Sequence, residues 1–235
     1  MNSSEALLLR KKPYGEADYI IQLFTKDFGK ISGIAKHAKK SRKRFGGRLE
    51  PFIHIRARFK DKSGGLRFIE DVETIRPYHQ FIEDLELFLW GSYILEITDA
   101  LVPEESPNEE LFNFLVGTLS ELNENKAKMP LVLNYQFKAL SLSGYQPNLE
   151  TCARCGNKTS GEPGFSIKEG GVICTGCLGS KKSAHHVSLE LLNDINLMEI
   201  HLLKVLEHIK LFTKFIEHHT EKDLNSSKFI EELQL

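Results

Sequence analysis

The four cysteines of this chain occur as two close pairs, and their spacing is the strongest constraint on its fold. Cys152 and Cys155 form one C-x2-C pair, and Cys174 and Cys177 form the second after 18 intervening residues. Two pairs at this separation are typical of a tetrahedral zinc site with thiolates about 2.3 Å from the metal. Because protein ligands would fill all four positions, such an ion is structural rather than catalytic. The function must then be sought elsewhere in the chain.

Two disulfides or a redox-active pair are the alternatives to a metal site. The N-terminus shows no secretory signal, and no run of roughly 18–20 apolar residues predicts a membrane helix. We therefore expect a cytoplasmic protein with reduced thiols. A redox C-x-x-C pair would need a βαβ context, which the sequence does not indicate. His185 and His186 lie nearby, and we expect them to be exposed side chains rather than ligands.

The net charge of −1 conceals an uneven distribution of charge along the chain. Residues 1–80 contain 18 Lys and Arg against 9 Asp and Glu, a net charge of +9. Residues 81–235 contain 13 against 23, a net charge of −10. This asymmetry indicates an N-terminal part that binds a polyanion and an acidic remainder with another task.

The first 80 residues have the pattern of a small β-barrel. Five short segments rich in β-branched and aromatic residues alternate with turn signals, including one at residues 62–65, which suits an OB-fold. The segments are residues 6–9, 19–24, 30–35, 52–59 and 66–70. Alternation in the fourth predicts that Phe52, His54, Arg56 and Arg58 share a face directed toward solvent.

Helical periodicity replaces this pattern from about residue 80. Helices are predicted over residues 81–99, from 111 to 122 with Asn108 near its start, over 131–143 before Gly144, and over 188–219 with Ser188 as N-cap. The order of residues 220–235 is not predicted. We expect an α+β multidomain protein: an OB-fold nucleic-acid-binding domain at 1–79, an α-helical domain at 80–148 and 185–235, and an inserted four-cysteine zinc module at 149–184.

A dense run of cations lies between the third and fourth strand segments. Residues 36–48, called the basic loop below, contain seven Lys and Arg and no acid, which is typical of a flexible loop that binds a polyanion. Phe45 and the exposed edge of the small barrel would offer a base-stacking surface, and Lys30 and Lys60 could extend the cationic patch. The residues predicted to bind DNA are Lys36, Lys39, Lys40, Arg42, Lys43, Arg44, Arg48, Arg56 and Arg58.

Catalytic motifs are absent from the sequence. It contains no phosphate-binding loop, dinucleotide fingerprint, zinc-protease helix motif or hydrolase nucleophile elbow. Asp27, Phe28 and Gly29 echo a kinase metal motif without its other parts, so a hairpin turn is predicted there. His201, His208, His218 and His219 are explained as surface or interface side chains. We therefore expect a protein that is not an enzyme.

An ordered series of motifs resembles the RecO family of bacterial recombination mediators. The series spans about residues 5–180 and ends with the two cysteine pairs, Gly156, Phe165 and the glycines at 170–171. Its earlier members are residues 15–18 (GEAD), 23–30 (LFTKDFGK), 34–36 leading into the basic loop, 49–52 (LEPF), 93–97 (YILEI), 137–140 (FKAL) and 143–147 (SGYQP). One departure is His37, where that family more often has glycine, so the conformation of the loop's first turn is in question.

The resemblance implies a function in DNA repair and homologous recombination. It implies binding of single- and double-stranded DNA, annealing of complementary strands, and loading of RecA on DNA coated by the single-stranded DNA-binding protein SSB. The implied partners are RecR and SSB directly and RecA indirectly, for a monomer associated with the nucleoid. A nucleic-acid enzyme or its zinc-bearing subunit, an RNA-binding protein and an adaptor that uses its acidic helical part are the alternatives.

Overall fold

A computed structural model describes residues 1–61, 66–124, 126–159, 163–178, 185–193 and 201–232. The chain forms two compact units, Met1–Lys126 and Ala127–Leu235. None of the helices within these ranges is long and apolar enough to cross a membrane. Because the first unit extends to Lys126, the helices directly after the barrel pack with it. The predicted domain boundaries near residues 79, 148 and 184 stay a prediction.

The N-terminal unit begins with five strands that close into a barrel in the order β1-β2-β3-β5-β4. The β3–β5 pair is parallel, and the other pairs are antiparallel. This architecture confirms the predicted OB-fold. The strands are β1 (Asn2–Tyr14), β2 (Asp18–Thr25), β3 (Gly29–Ala35), β4 (Ile53–Lys60) and β5 (Arg67–Pro77).

Two strands are longer than the sequence pattern predicts. β1 continues to Tyr14 past an irregularity between Leu8 and Arg10, and β5 continues to Pro77. Their added residues are largely charged or polar, so apolar alternation does not mark them. The hairpin turn predicted at residues 27–29 is confirmed, because Thr25 pairs with Gly29. The turn predicted at 62–65 lies outside the described residues.

The face of β4 predicted to meet solvent is buried over half its length. Arg56 is exposed and Arg58 partly exposed, but His54 is buried and so is Phe52, just before the strand. The Phe52 ring stacks on Phe81 at a centroid distance of 4.5 Å, and the His54 ring lies 5.8 Å from Phe112. Strand alternation alone could not reveal that helices cover this half.

Among its described residues, the N-terminal unit also has three helices: α1 (Gln80–Glu83), α2 (Leu85–Leu101) and α3 (Glu109–Asn123). The single helix predicted over 81–99 is divided at Asp84, whose extended backbone ends α1 and whose side chain accepts a hydrogen bond from the Leu87 N–H group at 3.0 Å. The helix at 111–122 is confirmed, with the Asn108 side chain accepting a bond from the Leu111 N–H group. Such caps satisfy N–H groups that the first helical turn leaves unpaired.

The second unit combines helices with a small sheet of order β7-β6-β8. Its core forms where Phe165 of β6 packs against Phe212 and Phe215, with centroid distances of 5.9 and 5.8 Å. A buried Gln136 amide donates to the Ile209 carbonyl at 3.1 Å. The elements are α4 (Lys128–Leu142), β6 (Gly164–Ser166), β7 (Gly171–Ile173), α5 (Thr175–Leu178), β8 (His185–His186), α6 (Leu189–Asn193), α7 (Leu202–Thr220) and α8 (Ser227–Glu232).

The helix predicted over residues 188–219 is not one continuous helix. His201 precedes α7 with a backbone conformation outside the helical region (φ −110°, ψ 53°), while residues 194–200 lie outside the described ranges. Ser188 caps α6 as predicted, because its hydroxyl accepts from the Leu191 N–H group at 3.4 Å. The helix predicted at 131–143 is confirmed as α4, and Gly144 follows it with a φ of +80°.

Candidate nucleic-acid interface and metal centre

The basic loop is folded against the barrel and is not the flexible segment that its composition indicates. The Phe45 and Leu49 side chains are 2% and 4% exposed and belong to the barrel core. The Phe45 N–H group donates to the Ser41 carbonyl, and the Val72 N–H group of β5 donates to the Arg44 carbonyl. The prediction that Phe45 stacks on bases is therefore wrong, because its ring holds the loop in place.

The first turn of the loop depends on an unusual conformation at His37. Its φ is +59°, in the left-handed region that favours glycine. The His37 N–H group donates to the Asp18 carboxylate at 2.8 Å, and the His37 carbonyl accepts from the Ser41 N–H group at 2.9 Å. These hydrogen bonds stabilise the turn in this conformation, although His37 carries the Cβ atom that glycine lacks.

The seven cations of the loop divide into exposed and structural groups. Lys36, Lys39, Lys40, Arg42 and Lys43 are exposed. The Arg44 guanidinium donates to the carbonyls of Lys36 and Glu70 and lies over the Phe45 ring, and Arg48 donates to the Lys43 carbonyl. Arg44 and Arg48 are only partly exposed, so the five exposed cations form the surface that a ligand could reach.

The charges of the exposed group are not neutralised by neighbouring acids. In the described ranges, no carboxylate lies within 4.0 Å of any cation of the basic loop. Lys39, Lys40 and Arg42 line a shallow cavity of about 470 Å³. Of these, Lys39 is tethered, since its ammonium group donates to the Gly15 carbonyl at 2.8 Å. A phosphate could bind there without displacing a carboxylate.

The two predicted DNA-binding arginines of β4 are in a different electrostatic setting. Arg58 is ion-paired with Asp71 at 2.8 Å and with Glu73 at 3.1 Å, and Arg56 with Glu5 at 3.3 Å. The hydrogen bond and the charge of Asp71 raise the pKa of the Arg58 guanidinium above its ordinary value. A phosphate that binds either arginine must therefore compete with an acid of the protein.

The prediction that Lys30 and Lys60 extend the cationic patch is also corrected. Lys30 is 4% exposed and its ammonium group contacts Asp99, while Lys60 is ion-paired with Glu70. The extension of β1, which sequence analysis missed, brings in Lys11, whose ammonium group is ion-paired with Glu50 at 2.6 Å and lies 5.2 Å from the centroid of the Tyr19 ring. Lys39 lies over the same ring at 5.6 Å. The tyrosine thus joins the β1–β2 hairpin to the basic loop.

The four cysteines come together in the second unit. The four Sγ atoms all lie within 4.8 Å of one another, and those of Cys155 and Cys174 are 3.7 Å apart. The cluster consists of Cys152, Cys155, Cys174 and Cys177. Zinc–sulfur bonds of about 2.3 Å in a tetrahedron would separate the sulfurs by about 3.8 Å. The donor set and its spacing therefore fit a zinc ion whose coordination the four thiolates would complete.

Two tight turns produce this arrangement. In the first turn, the Cys152 carbonyl accepts a hydrogen bond from the Gly156 N–H group, and Gly156 has a φ of +73°. In the second, the Cys177 N–H group donates to the Cys174 carbonyl.

Hydrogen bonds to the Cys152 sulfur, chiefly from the Cys174 N–H group, lower the pKa of Cys152 to about 6. Hydrogen bonds with the Cys155 and Cys174 thiols raise the pKa of Cys177 to about 12.

The histidines of the second unit play different parts. His185 and His186 are exposed on β8, and among the described residues the ligand cluster consists of the four cysteines. His208, predicted at a surface or interface, is buried at 3% exposure. Its Nε2 atom accepts from the Ser188 N–H group at 3.0 Å, while Nδ1 lies 2.6 Å from the Lys204 carbonyl. His208 therefore joins α7 to the segment before α6.

Comparison with known proteins matches both parts of the chain to one family. The family model described as recombination protein O N terminal matches residues 1–78, and the model described as recombination protein O C terminal matches residues 82–228. The first contains the basic loop, and the second contains the four cysteines.

Individual relatives match along most of the chain. The DNA repair protein RecO of Anaeromyxobacter sp. (strain K) is 31% identical over 240 residues, which cover 97% of this chain and 94% of the relative. The protein of the same name from Myxococcus xanthus (strain DK1622) is 28% identical over 98% of this chain and 97% of its own length. That of Bacillus pumilus (strain SAFR-032) is 35% identical over 74% of this chain and 67% of its own length. The chain therefore belongs to the recombination protein O (RecO) family.

Proposed function

We propose that this protein is a DNA repair and homologous recombination mediator that binds single- and double-stranded DNA through the barrel and its basic loop. The observation that carries the proposal is the group of exposed loop cations without acidic partners, held in place by the buried Phe45 and Leu49. The names of the relatives support a role in DNA repair. The net charge of +9 on residues 1–80 favours a polyanion as ligand.

Electrostatics supplies the mechanism for annealing complementary strands. Two strands repel each other through their phosphates, and the cations of the loop reduce this repulsion when both strands bind. No covalent chemistry is required, so the proposed activity is not enzymatic. If the protein contacts about five phosphates of single-stranded DNA, log K falls with log salt concentration with a slope of roughly −3.5.

A zinc ion held by Cys152, Cys155, Cys174 and Cys177 would stabilise the second unit in this proposal. The bound ion would supply no chemistry to the DNA, because the four thiolates complete its tetrahedral coordination. It would join the turn at 152–156 to the end of β7 and to α5. Metal binding and DNA binding are then separable properties of the protein.

The proposed partners follow from membership of the family rather than from contacts in this chain. With RecR, the protein would help to load RecA on single-stranded DNA coated by SSB. It would act in the cytoplasm, close to the nucleoid, as a monomer. The acidic remainder of the chain, with a net charge of −10 over residues 81–235, is the proposed docking region for these proteins.

The direct test measures DNA affinity and annealing after removal of the exposed cations. The variant Lys36→Ala, Lys40→Ala, Arg42→Ala, Lys43→Ala removes four side chains that make no hydrogen bond or ion pair within the described residues, so its fold should persist. The slope of log K against log salt should become less negative by about 0.7 for each phosphate that the variant no longer binds. A control variant with four exposed lysines replaced elsewhere, Lys126, Lys158, Lys204 and Lys214, removes the same amount of positive charge.

Annealing of complementary oligonucleotides coated with SSB, with and without RecR, tests the mediator function. The loop variant should anneal more slowly than the control variant. Equal DNA affinity of the two variants at low and moderate salt would exclude the loop as the DNA-binding surface. Competition in which RNA displaces single-stranded DNA at much lower concentration would favour an RNA-binding protein. If the wild-type protein binds DNA but does not accelerate annealing, an adaptor is favoured.

A further inference from the structure

The outer face of strand β2 is covered by helices at one end and open at the other. Phe24 is fully buried and its ring lies 5.6 Å from Phe112 of α3. Gln22, two residues earlier, donates to the Glu104 carboxylate at 2.7 Å. Ile20, two residues earlier again, is partly exposed. Because alternate residues share a face, these three side chains trace the change from covered to open surface.

Strand β3 shows the same division. Lys30 is buried with Asp99, and the Ser32 hydroxyl lies 3.5 Å from the Glu104 carboxylate. Ile34, next on the same face, is partly exposed, and Lys36 at the start of the basic loop follows it. The open end of the outer face therefore meets the proposed DNA-binding surface.

The sheet register places the open positions in one row across the barrel. Ile20 pairs with Ile34, and Ile34 pairs with Phe68 of β5, which is also partly exposed. Lysines flank this apolar row, because Lys12 pairs with Ile20 and Lys60 pairs with Phe68. Neighbouring strands are about 4.8 Å apart, so the apolar row is about 10 Å long.

Tyr14 adds an exposed aromatic ring to the same face. It lies two residues beyond Lys12 on β1 and is 54% exposed. Lys12 and Lys36 are exposed and, within the described ranges, have no acidic partner, whereas Lys60 is paired with Glu70. Besides Glu70, a second acid lies here: Asp18, opposite Tyr14, accepts a hydrogen bond from the His37 N–H group. The open surface therefore combines apolar and aromatic side chains with free cations.

We propose that Tyr14, Ile20, Ile34 and Phe68 form a platform on which the bases of single-stranded DNA stack, with Lys12 and Lys36 binding the adjacent phosphates. This inference rests on the proposed DNA-binding function and assigns the base contacts, which the loop cations do not provide. An apolar surface flanked by cations matches a single strand, whose bases are unstacked and whose backbone is anionic. A duplex hides its base faces, so the platform selects single strands and the loop binds both forms.

A new tryptophan on the platform reports stacking directly. The chain contains one tryptophan, Trp90, which is fully buried. The variant Tyr14→Trp should lose at least a third of its added fluorescence when oligo-dT binds, while the emission of the wild-type protein stays unchanged. Ile82→Trp is the matched control, because Ile82 is 74% exposed on α1 of the same unit. Its emission should not respond to oligo-dT.

Affinity measurements separate the platform from the loop. Tyr14→Ala should weaken oligo-dT binding about tenfold without changing the salt slope, since stacking contributes a factor in this range per base and releases no counterions. Tyr14→Phe should bind within about twofold of the wild type, because the ring is retained. Affinity for duplex DNA should be the same in all three proteins.

Several outcomes would overturn the platform. If the wild type and the loop variant behave as the proposed function requires but Tyr14→Trp is not quenched and Tyr14→Ala binds normally, the platform alone is rejected. Equal quenching by duplex DNA would also reject it. If Tyr14→Ala loses affinity for oligo-U and not for oligo-dT, the occupant of the platform is RNA and single-stranded DNA is excluded. If the wild type binds no DNA, the proposed function itself fails.

Discussion

Lys30 of β3 and Asp99 of α2 form a buried ion pair between the barrel and its first long helix. The Lys30 Nζ atom lies 3.0 Å from the Asp99 Oδ1 atom and donates to the Asp99 main-chain carbonyl at 2.7 Å. Both side chains are about 5% exposed. The second carboxylate oxygen of Asp99 accepts from Arg10. A lysine that composition assigns to a DNA-binding patch therefore serves to attach the helix to the barrel.

The variant Asp99→Ala should unfold more easily than the wild type. It leaves the Lys30 ammonium group buried without its carboxylate, and such a change costs about 3–5 kcal/mol. Urea unfolding followed by Trp90 fluorescence measures this free energy. Glu109→Ala is the control, because Glu109 pairs with Lys26 between barrel and helix but is 65% exposed, so its removal should cost about 1 kcal/mol or less. Equal destabilisation of the two variants would contradict a structural role of the buried pair.

The two arginine groups should differ in their effect on DNA binding. Arg42→Ala should reduce the magnitude of the salt slope by about 0.7 on single-stranded DNA, because it removes an unpaired cation. Arg58→Ala should change it much less, since Asp71 and Glu73 already neutralise that guanidinium. Titration of labelled oligonucleotide at four salt concentrations gives both slopes. A larger effect of Arg58→Ala would mean that DNA displaces those acids.

Removal of zinc should destabilise the second unit without abolishing DNA binding by the barrel. The purified protein should contain about one zinc per chain, and Cys174→Ser should lose most of it because one thiolate ligand is removed. Metal content and thermal unfolding with and without a strong chelator measure these effects. His185→Ala should retain its zinc. Chelator-insensitive unfolding of a metal-free protein would argue against a structural ion.

Acid should weaken the second unit through His208. Burial lowers the pKa of His208 in the folded protein, whereas the unfolded side chain titrates near about 6.5. The unfolded chain therefore binds the extra proton first. Stability is complete above about pH 6.5 and falls as the pH decreases toward the folded pKa, by at most about 1.4 kcal/mol per pH unit from this group.

Unfolding curves between pH 8 and pH 5, followed by circular dichroism, test this pH dependence. His208→Gln is the comparison, since it cannot gain a proton. Its free energy of unfolding should fall less steeply below pH 6.5 than that of the wild type. Glu207 and Lys204, which act on the His208 pKa, are present in both proteins. Parallel pH profiles would exclude His208 as the titrating group.

Two helical glycines should respond in opposite ways to alanine. A Cβ atom at Gly91 of α2 would lie 2.3 Å from the Phe81 ring and 2.7 Å from the Phe52 ring, so Gly91→Ala should cost about 1–3 kcal/mol. A Cβ atom at Gly117 of α3 meets nothing within 4 Å. Gly117→Ala should therefore stabilise by about 0.5–1 kcal/mol. Thermal unfolding of both variants measures the difference in sign.

Local chemistry allowed much of this protein to be predicted from its sequence. The strand alternation around Ile21, Leu23 and Ile55 indicated the barrel, because period-2 burial is a property of each strand separately. The caps at Asn108 and Ser188 marked helix starts for a similarly local reason. The cysteine spacing indicated the ligand set, since two short turns can present four sulfurs to one ion.

The tertiary structure decided which cations and aromatic rings are available to a ligand. Lys30, Arg56 and Arg58 resemble Lys40 in a sequence, but the acids that pair with them are between 13 and 69 residues away along the chain. Phe45 likewise lies within a charged run, and only the closed barrel buries its ring. Charge availability and burial depend on contacts between distant segments, which local periodicity does not encode. The sequence by itself therefore determined the class of most strands and helices and the side-chain chemistry of the candidate sites, and the fold determined which of those side chains meet solvent.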